Sequence, residues 1–282
     1  MARWGFVLVL TSLLVSAKPP EFDRAHELYQ RTEYRESIHL LQSVKNMDAE
    51  TLQLMGQNDF MLGDYKRATD ELEKALTLGN PTASLYLWLG RVYGRRAETS
   101  NPLSSPGHAT HSRRMLEKAV ELEPANKEAV GDLLDYYLGA PGFLGGGFDR
   151  AEDLAKKMGR TDPAESAYLL ALILEKRKDY DAAEQHLRRA TELAPKQWGH
   201  VMELARFLAR RGKTKESDAL FEQVATLAPG NPKVLFYRAE TYIEEKRNLP
   251  EARTLLEKYL KAPLTPDDPT REEAQQLLAK AK

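Results

Sequence analysis

The chain has 282 residues, 42% hydrophobic and 29% charged, which is enough apolar material for a core and excludes wholesale disorder. Lys and Arg total 41 against 42 Asp and Glu, so the formal net charge is -1, without the basic excess of a general nucleic-acid binder. The absence of cysteine excludes disulfides, thiolate zinc and iron–sulfur sites, cysteine nucleophiles and a lipoprotein anchor.

Residues 1–17, MARWGFVLVLTSLLVSA, read as a secretory signal peptide. Arg3 supplies a short positive region, and Gly5 to Val15 is apolar apart from Thr11 and Ser12. Val15 and Ala17 place small side chains where a signal peptidase inspects them, and Lys18-Pro19-Pro20 breaks any continuing helix. The run is shorter than the roughly 20 apolar residues of a membrane-spanning helix. An uncleaved N-terminal anchor is the alternative. No later segment is long and apolar enough to span a bilayer after signal removal. The expected location is therefore the periplasm or the medium.

The rest of the chain repeats itself. Four stretches align: Leu72 to Pro81, Leu116 to Pro124, Leu187 to Pro195 and Phe221 to Pro229. Ala171, Ala205 and Ala239 recur at a constant interval of 34 residues. That period predicts a two-helix unit stacked into a solenoid. In each unit a first helix is apolar at helical spacing and carries one small residue: Gly56, Gly90, Ala171, Ala205 or Ala239. A turn follows, as at Gly63-Asp64-Tyr65 and Lys178-Asp179-Tyr180. The second helix brings a small residue (Ala68, Ala183), then a large one (Leu72, Leu187), then another small one (Ala75, Ala190). Pro124, Pro195 and Pro229 end their helices.

The set Trp88-Leu89-Gly90-x-x-Tyr93, Tyr65-x-x-Ala68, Ala75-Leu76 and the terminal proline resembles the tetratricopeptide repeat. The resemblance implies an all-α, right-handed superhelix of helix pairs. Units start near Lys18, Ala49, Ala83, Lys127, Ala164 and Trp198, with a looser seventh near Pro232, so the array spans about 18–269. Residues 270–282 are expected to add a C-terminal capping helix. The first unit fills its diagnostic slots imperfectly, with Arg24-Ala25 and Ser37. The last places Arg238 at a usually apolar slot and carries an extra residue around Leu249-Pro250.

Two insertions depart from the pattern, near 99–110 and 139–147. The first is expected to add about ten residues, including Ser100 to Gly107; the second is Gly139 to Ala151. With Tyr93 to Glu98 and Tyr136 to Gly147, they resemble a secreted bacterial subgroup of tetratricopeptide proteins with an Ala-Pro-Gly-x-x-Gly-Gly loop. The resemblance implies no enzymatic activity. The glycines Gly142, Gly145, Gly146 and Gly147 invite a phosphate-cradle reading, but Phe148-Asp149 stands where Lys-Ser/Thr would be needed. A tight inter-helix connection is the simpler reading. His108 and His111 are i, i+3 neighbours without a third ligand beside them, so no metal or other cofactor is expected. GxSxG and HExxH motifs are absent.

In a tetratricopeptide superhelix the first helix of each pair lines the inner groove. The resemblance therefore puts Gln53, Gln57, Leu87, Arg91, Arg95, Tyr168, Met202, Arg206, Arg210, Phe236 and Glu240 on the concave face. Arg91 with Arg95, and Arg206 with Arg210, are i, i+4 pairs suited to peptide carboxylates. The alternative is that these arginines pair with carboxylates of the same chain. The function expected is a non-enzymatic scaffold that binds an extended peptide or a protein, and not nucleic acid, in the groove. The rival readings are a hydrolase or metal-dependent enzyme using the insertions, and a permanent subunit of an envelope complex.

Overall fold

A computed structural model describes residues 18–281; the signal-peptide segment lies outside the described residues. Among the described residues fifteen α-helices form seven antiparallel pairs and a terminal cap. The pairs are α1 (Pro20–Gln30) with α2 (Tyr34–Leu41), α3 (Ala49–Met61) with α4 (Tyr65–Thr77), and α5 (Ala83–Thr99) with α6 (Ser105–Leu122). They continue with α7 (Lys127–Gly139) and α8 (Phe148–Met158), α9 (Pro163–Lys176) and α10 (Tyr180–Leu193), and α11 (Trp198–Arg210) and α12 (Thr214–Leu227). The last pair is α13 (Pro232–Glu244) with α14 (Leu249–Lys261), and α15 (Arg271–Lys280) closes the stack.

Local chemistry sets these boundaries. The side chains of Asp48, Asp64, Thr82, Asn126, Asp162, Asp179 and Asn231 accept from backbone N–H groups in the first turn of the helix each precedes. Thr270 and Glu273 form a reciprocal capping box on α15. Between paired helices the chain turns through left-handed residues, such as Gly63, Lys178 and Gly212.

The small residues of the repeat mark where helices cross. A Cβ on Gly56 would stand 2.6 Å from Leu72 Cγ, and one on Gly90 would stand 2.6 Å from Leu116 Cγ. Ala68, Ala183, Ala205 and Ala239 are fully buried. The core runs along the stack as successive apolar clusters, each drawn from neighbouring pairs, as expected for a solenoid.

Both imperfect units fold as helix pairs. In the first, buried Ser37 donates 2.8 Å to the carbonyl of Ala25. In the last, Arg238 is nearly buried but ion-paired at 2.7 Å to both Glu222 and Glu251, and its Nε donates to the Tyr242 hydroxyl. The extra residue there is absorbed by left-handed Lys246 and Asn248.

The residues of the first insertion are mostly helical. The insertion lengthens both helices of its pair: α5 has 17 residues and α6 has 18, against 13 in each of α3 and α4. Only residues 100–104 connect them. Ser112 fixes the crossing by donating to the Gly90 carbonyl at 2.8 Å.

Candidate functional site

The solenoid encloses a groove of about 1040 Å³. Its near wall comes from α3, α5, α6 and α7, with Phe60, Trp88 and Tyr136 as its large aromatic faces. Its far side carries Lys233 at the start of α13, together with Pro266 and Asp267 from the segment between α14 and α15. The superhelix thus curls until its C-terminal segment faces its early repeats. Tyr34, at the start of α2, registers the approach: burial and then the Asp267 carboxylate push it up to about 12. A second cavity of about 450 Å³, at the C-terminal end, shares Asp267 and adds Tyr237, Glu240 and Glu273.

Aromatic packing orders the near wall. Trp88 meets Phe60 edge-on at 5.4 Å, and Phe60 lies 5.5 Å from Tyr65. Arg91 stacks over Trp88 at 5.0 Å and Arg95 over Tyr65 at 5.6 Å.

All four expected arginines are paired within the chain. Arg91 reaches from α5 to α7, donating 2.6 Å to Asp132 and 3.0 Å to Glu128. Burial acts to lower Arg91, but these two carboxylates outweigh it and hold its pKa above the ordinary arginine value. Arg95 is tied to Glu98 and donates from Nε to the Tyr65 hydroxyl. Arg206 donates to Glu240 at 2.8 Å and to Glu203, and stacks on Tyr237 at 4.7 Å. Arg210 pairs with Glu175 of α9 at 2.9 Å. Glu240 remains raised despite its partner, because burial and the neighbouring carboxylates of Glu244, Glu203 and Glu273 outweigh Arg206.

These contacts belong to a longer series. Gln53 of α3 donates to Ser84 of α5 at 2.9 Å, Lys127 of α7 pairs with Glu165 of α9 at 3.1 Å, and Glu165 faces His200 of α11 at 3.7 Å. With the Arg91, Arg210 and Arg206 pairs, polar ties join successive first helices from α3 to α13.

The other expected residues divide. Gln57 and Tyr168 are half-buried, and Tyr168 lies 5.3 Å from His200. Leu87 and Met202 do not offer an open concave surface, and Phe236 shows only a small part of its ring, to the C-terminal cavity. The three are 4%, 1% and 4% exposed, because they point into the core clusters between neighbouring pairs. Arg91 and Arg95 line the main groove, whereas Phe236 and Glu240 line the C-terminal cavity. Sequence reasoning missed Trp88 and Tyr136 as walls, and Asp132, Asp135 and Asp267 as charge. The acidic spacing of Glu128, Asp132 and Asp135 on α7 was the available signal for two of those carboxylates.

The Gly-rich connection between α7 and α8 serves its own backbone. A Cβ on Gly146 would stand 1.8 Å from the carbonyl oxygen of Ala140, and Gly145 and Gly147 adopt φ of +89 and +139. Tyr136 donates to the Leu144 carbonyl at 3.0 Å, and the Gly147 N–H donates to Tyr137 O at 2.8 Å. Phe143 stands outside this turn, 83% exposed. His108 and His111 lie on α6 and stack on Tyr93 at 6.0 and 4.9 Å. Among the described residues no group of three or more His, Asp or Glu is arranged to hold a metal ion.

The fold is an all-α solenoid of tetratricopeptide repeats. Residues 164–197 and 202–269 match tetratricopeptide repeat families. Three solved structures share the architecture. A tetratricopeptide repeat protein from Parabacteroides merdae is 14% identical, with 93% of this chain and 97% of that one covered at a TM-score of 0.57. A thermophilic tetratricopeptide protein in Thermus thermophilus is 19% identical, over 67% of this chain and 97% of that one, at 0.52. The C-terminal part of a repeat-containing protein from Cytophaga hutchinsonii is 18% identical, over 91% and 99%, at 0.50. No curated protein matches the chain.

Proposed function

We propose that this protein is a non-enzymatic scaffold that holds an extended segment of a protein partner in its concave groove. The observation that supports this reading best is the groove itself. Its volume of about 1040 Å³ is bounded by Phe60, Trp88 and Tyr136 on helices fixed by interlocking repeats. Rigid aromatic faces of this kind give peptide side chains apolar contacts at low entropic cost. Gln53, Gln57 and Tyr168 sit on first helices of the same array but outside the lining of this groove. Arg91 holds Asp132 and Glu128 of the groove in place, and Arg95 holds Glu98.

The protein works in the cell envelope or outside the cell, on the strength of the signal-peptide pattern in residues 1–17. Exported protein should begin at Lys18 by mass spectrometry; an intact Met1 in the soluble fraction would overturn this location.

Site-specific photocrosslinking tests the groove. A benzophenone amino acid at Tyr136 should capture a protein partner in the native host. The same group at Lys118, exposed on α6 and outside the groove lining, should capture none. Equal capture at both positions would remove the groove from the reading.

A further inference from the structure

We propose that the groove selects a cationic peptide, one that alternates Lys or Arg with large apolar side chains. This inference rests on the groove reading above and gives it a charge. The main groove is lined by five carboxylates, Glu98, Glu128, Asp132, Asp135 and Asp267, against only three cations, Arg91, Arg95 and Lys233. Arg91 is spent on Asp132 and Glu128, and Arg95 on Glu98. The C-terminal cavity has four carboxylates, Glu240, Asp267, Asp268 and Glu273, against Lys280.

Asp267 belongs to both cavities, so one acidic strip runs from the early repeats to the cap. The whole chain is almost neutral at -1, so this is a local separation of charge inside a concave, partly desolvated surface. Crowding of carboxylates shows in their chemistry. Asp135 is solvent-exposed, but desolvation by the surrounding groove wall and then Asp132 raise it above the ordinary carboxylate value, with Lys176 opposing.

Two groove carboxylates stay unpaired, Asp135 and Asp267, against one unpaired cation, Lys233, among the described residues. Both carboxylates are exposed, and neither has an ion-pair partner among the described residues. A guanidinium or ammonium beside either carboxylate would gain a counter-charge that the chain itself does not supply there. Apolar side chains at alternate positions would meet Trp88, Phe60 and Tyr136 on the near wall. Phosphodiester chains and acidic peptides would meet the strip with like charge and be turned away.

Two fluorescein-labelled peptides of equal length test this on the intact mature chain. One alternates Lys and Arg with Leu and Tyr; the other replaces every Lys and Arg by Glu. Fluorescence anisotropy should show the cationic peptide binding at least about tenfold more tightly, with affinity falling as salt rises from about 50 to 300 mM. Asp135→Asn with Asp267→Asn should weaken the cationic peptide at least about threefold and flatten its salt dependence. Both side chains are exposed, so helicity by circular dichroism should match the parent. Equal or tighter binding of the acidic peptide in the groove would overturn the charge assignment and leave the groove reading intact. Cationic binding unmoved by the double variant would place the peptide elsewhere and overturn the site. If neither peptide bound while Tyr136 still captured a native partner, the cationic class would be wrong. If neither peptide bound and no partner were captured at Tyr136, the groove reading would fall with it.

Discussion

Arg206 on α11 donates 2.8 Å to Glu240 on α13, and the two residues are 34 positions apart, one repeat of the solenoid. The tie is partly buried, with side chains 20% and 22% exposed, and Tyr237 stacks on the guanidinium. A double-mutant cycle with Arg206→Ala and Glu240→Ala should give a coupling of about 1–2 kcal/mol in urea unfolding. The same cycle on the exposed Arg95–Glu98 pair should give less than about 0.5 kcal/mol. Equal couplings would mean that burial does not set the strength of these ties.

Helix crossings depend on missing side-chain volume. Gly90→Leu would drive a side chain into Leu116, and Ala205→Leu would do the same at a fully buried crossing. Each should cost at least about 1–3 kcal/mol by overpacking. In the Gly-rich turn, Gly146→Ala collides with the Ala140 carbonyl and should lower the melting temperature by several degrees. Gly142→Ala meets nothing within 4 Å and should leave it unchanged.

The small slot of the second helix holds serine three times, with two different outcomes. Ser112 is satisfied by the Gly90 carbonyl, whereas the fully buried Ser217 hydroxyl has no partner. Ser217→Ala should therefore stabilise by about 1 kcal/mol, and Ser112→Ala should destabilise by a similar amount. Thermal melts of the two variants in opposite directions would verify the assignment.

Asp59 is buried at the end of α3; its Oδ2 makes no hydrogen bond and has only the Arg67 guanidinium facing it at 3.6 Å. Burial raises its pKa from 3.8 to about 6, against the pull of Arg67. The folded state therefore binds this proton more tightly than the unfolded state does. Its ionisation costs stability above pH 6, and the cost fades as pH falls from about 6 towards 4. Asp59→Asn should raise the melting temperature at pH 7.5, and its advantage should shrink at pH 5. An advantage independent of pH would reject ionisation as the cause.

The sequence by itself determined the helix pairs. Their starts at Ala49, Ala83, Lys127, Trp198 and Pro232 follow from apolar spacing and the 34-residue return of small residues, with a capping side chain before all but Trp198, all local in the chain. Arg91 and Arg95 line the groove. The sequence did not distinguish groove from core for Leu87, Met202 and Phe236. Successive residues turn by about 100° around a helix, and a first helix packs against neighbours on more than one side. The Arg95–Glu98 pair is local, at i, i+3, but the ties that Arg91, Arg206 and Arg210 make to neighbouring repeats, 34 to 41 residues away, were beyond local reasoning. Only the tertiary structure brought Asp267 across from Trp88. That approach depends on the accumulated rotation from one repeat to the next, a property of how neighbouring pairs pack rather than of any one pair.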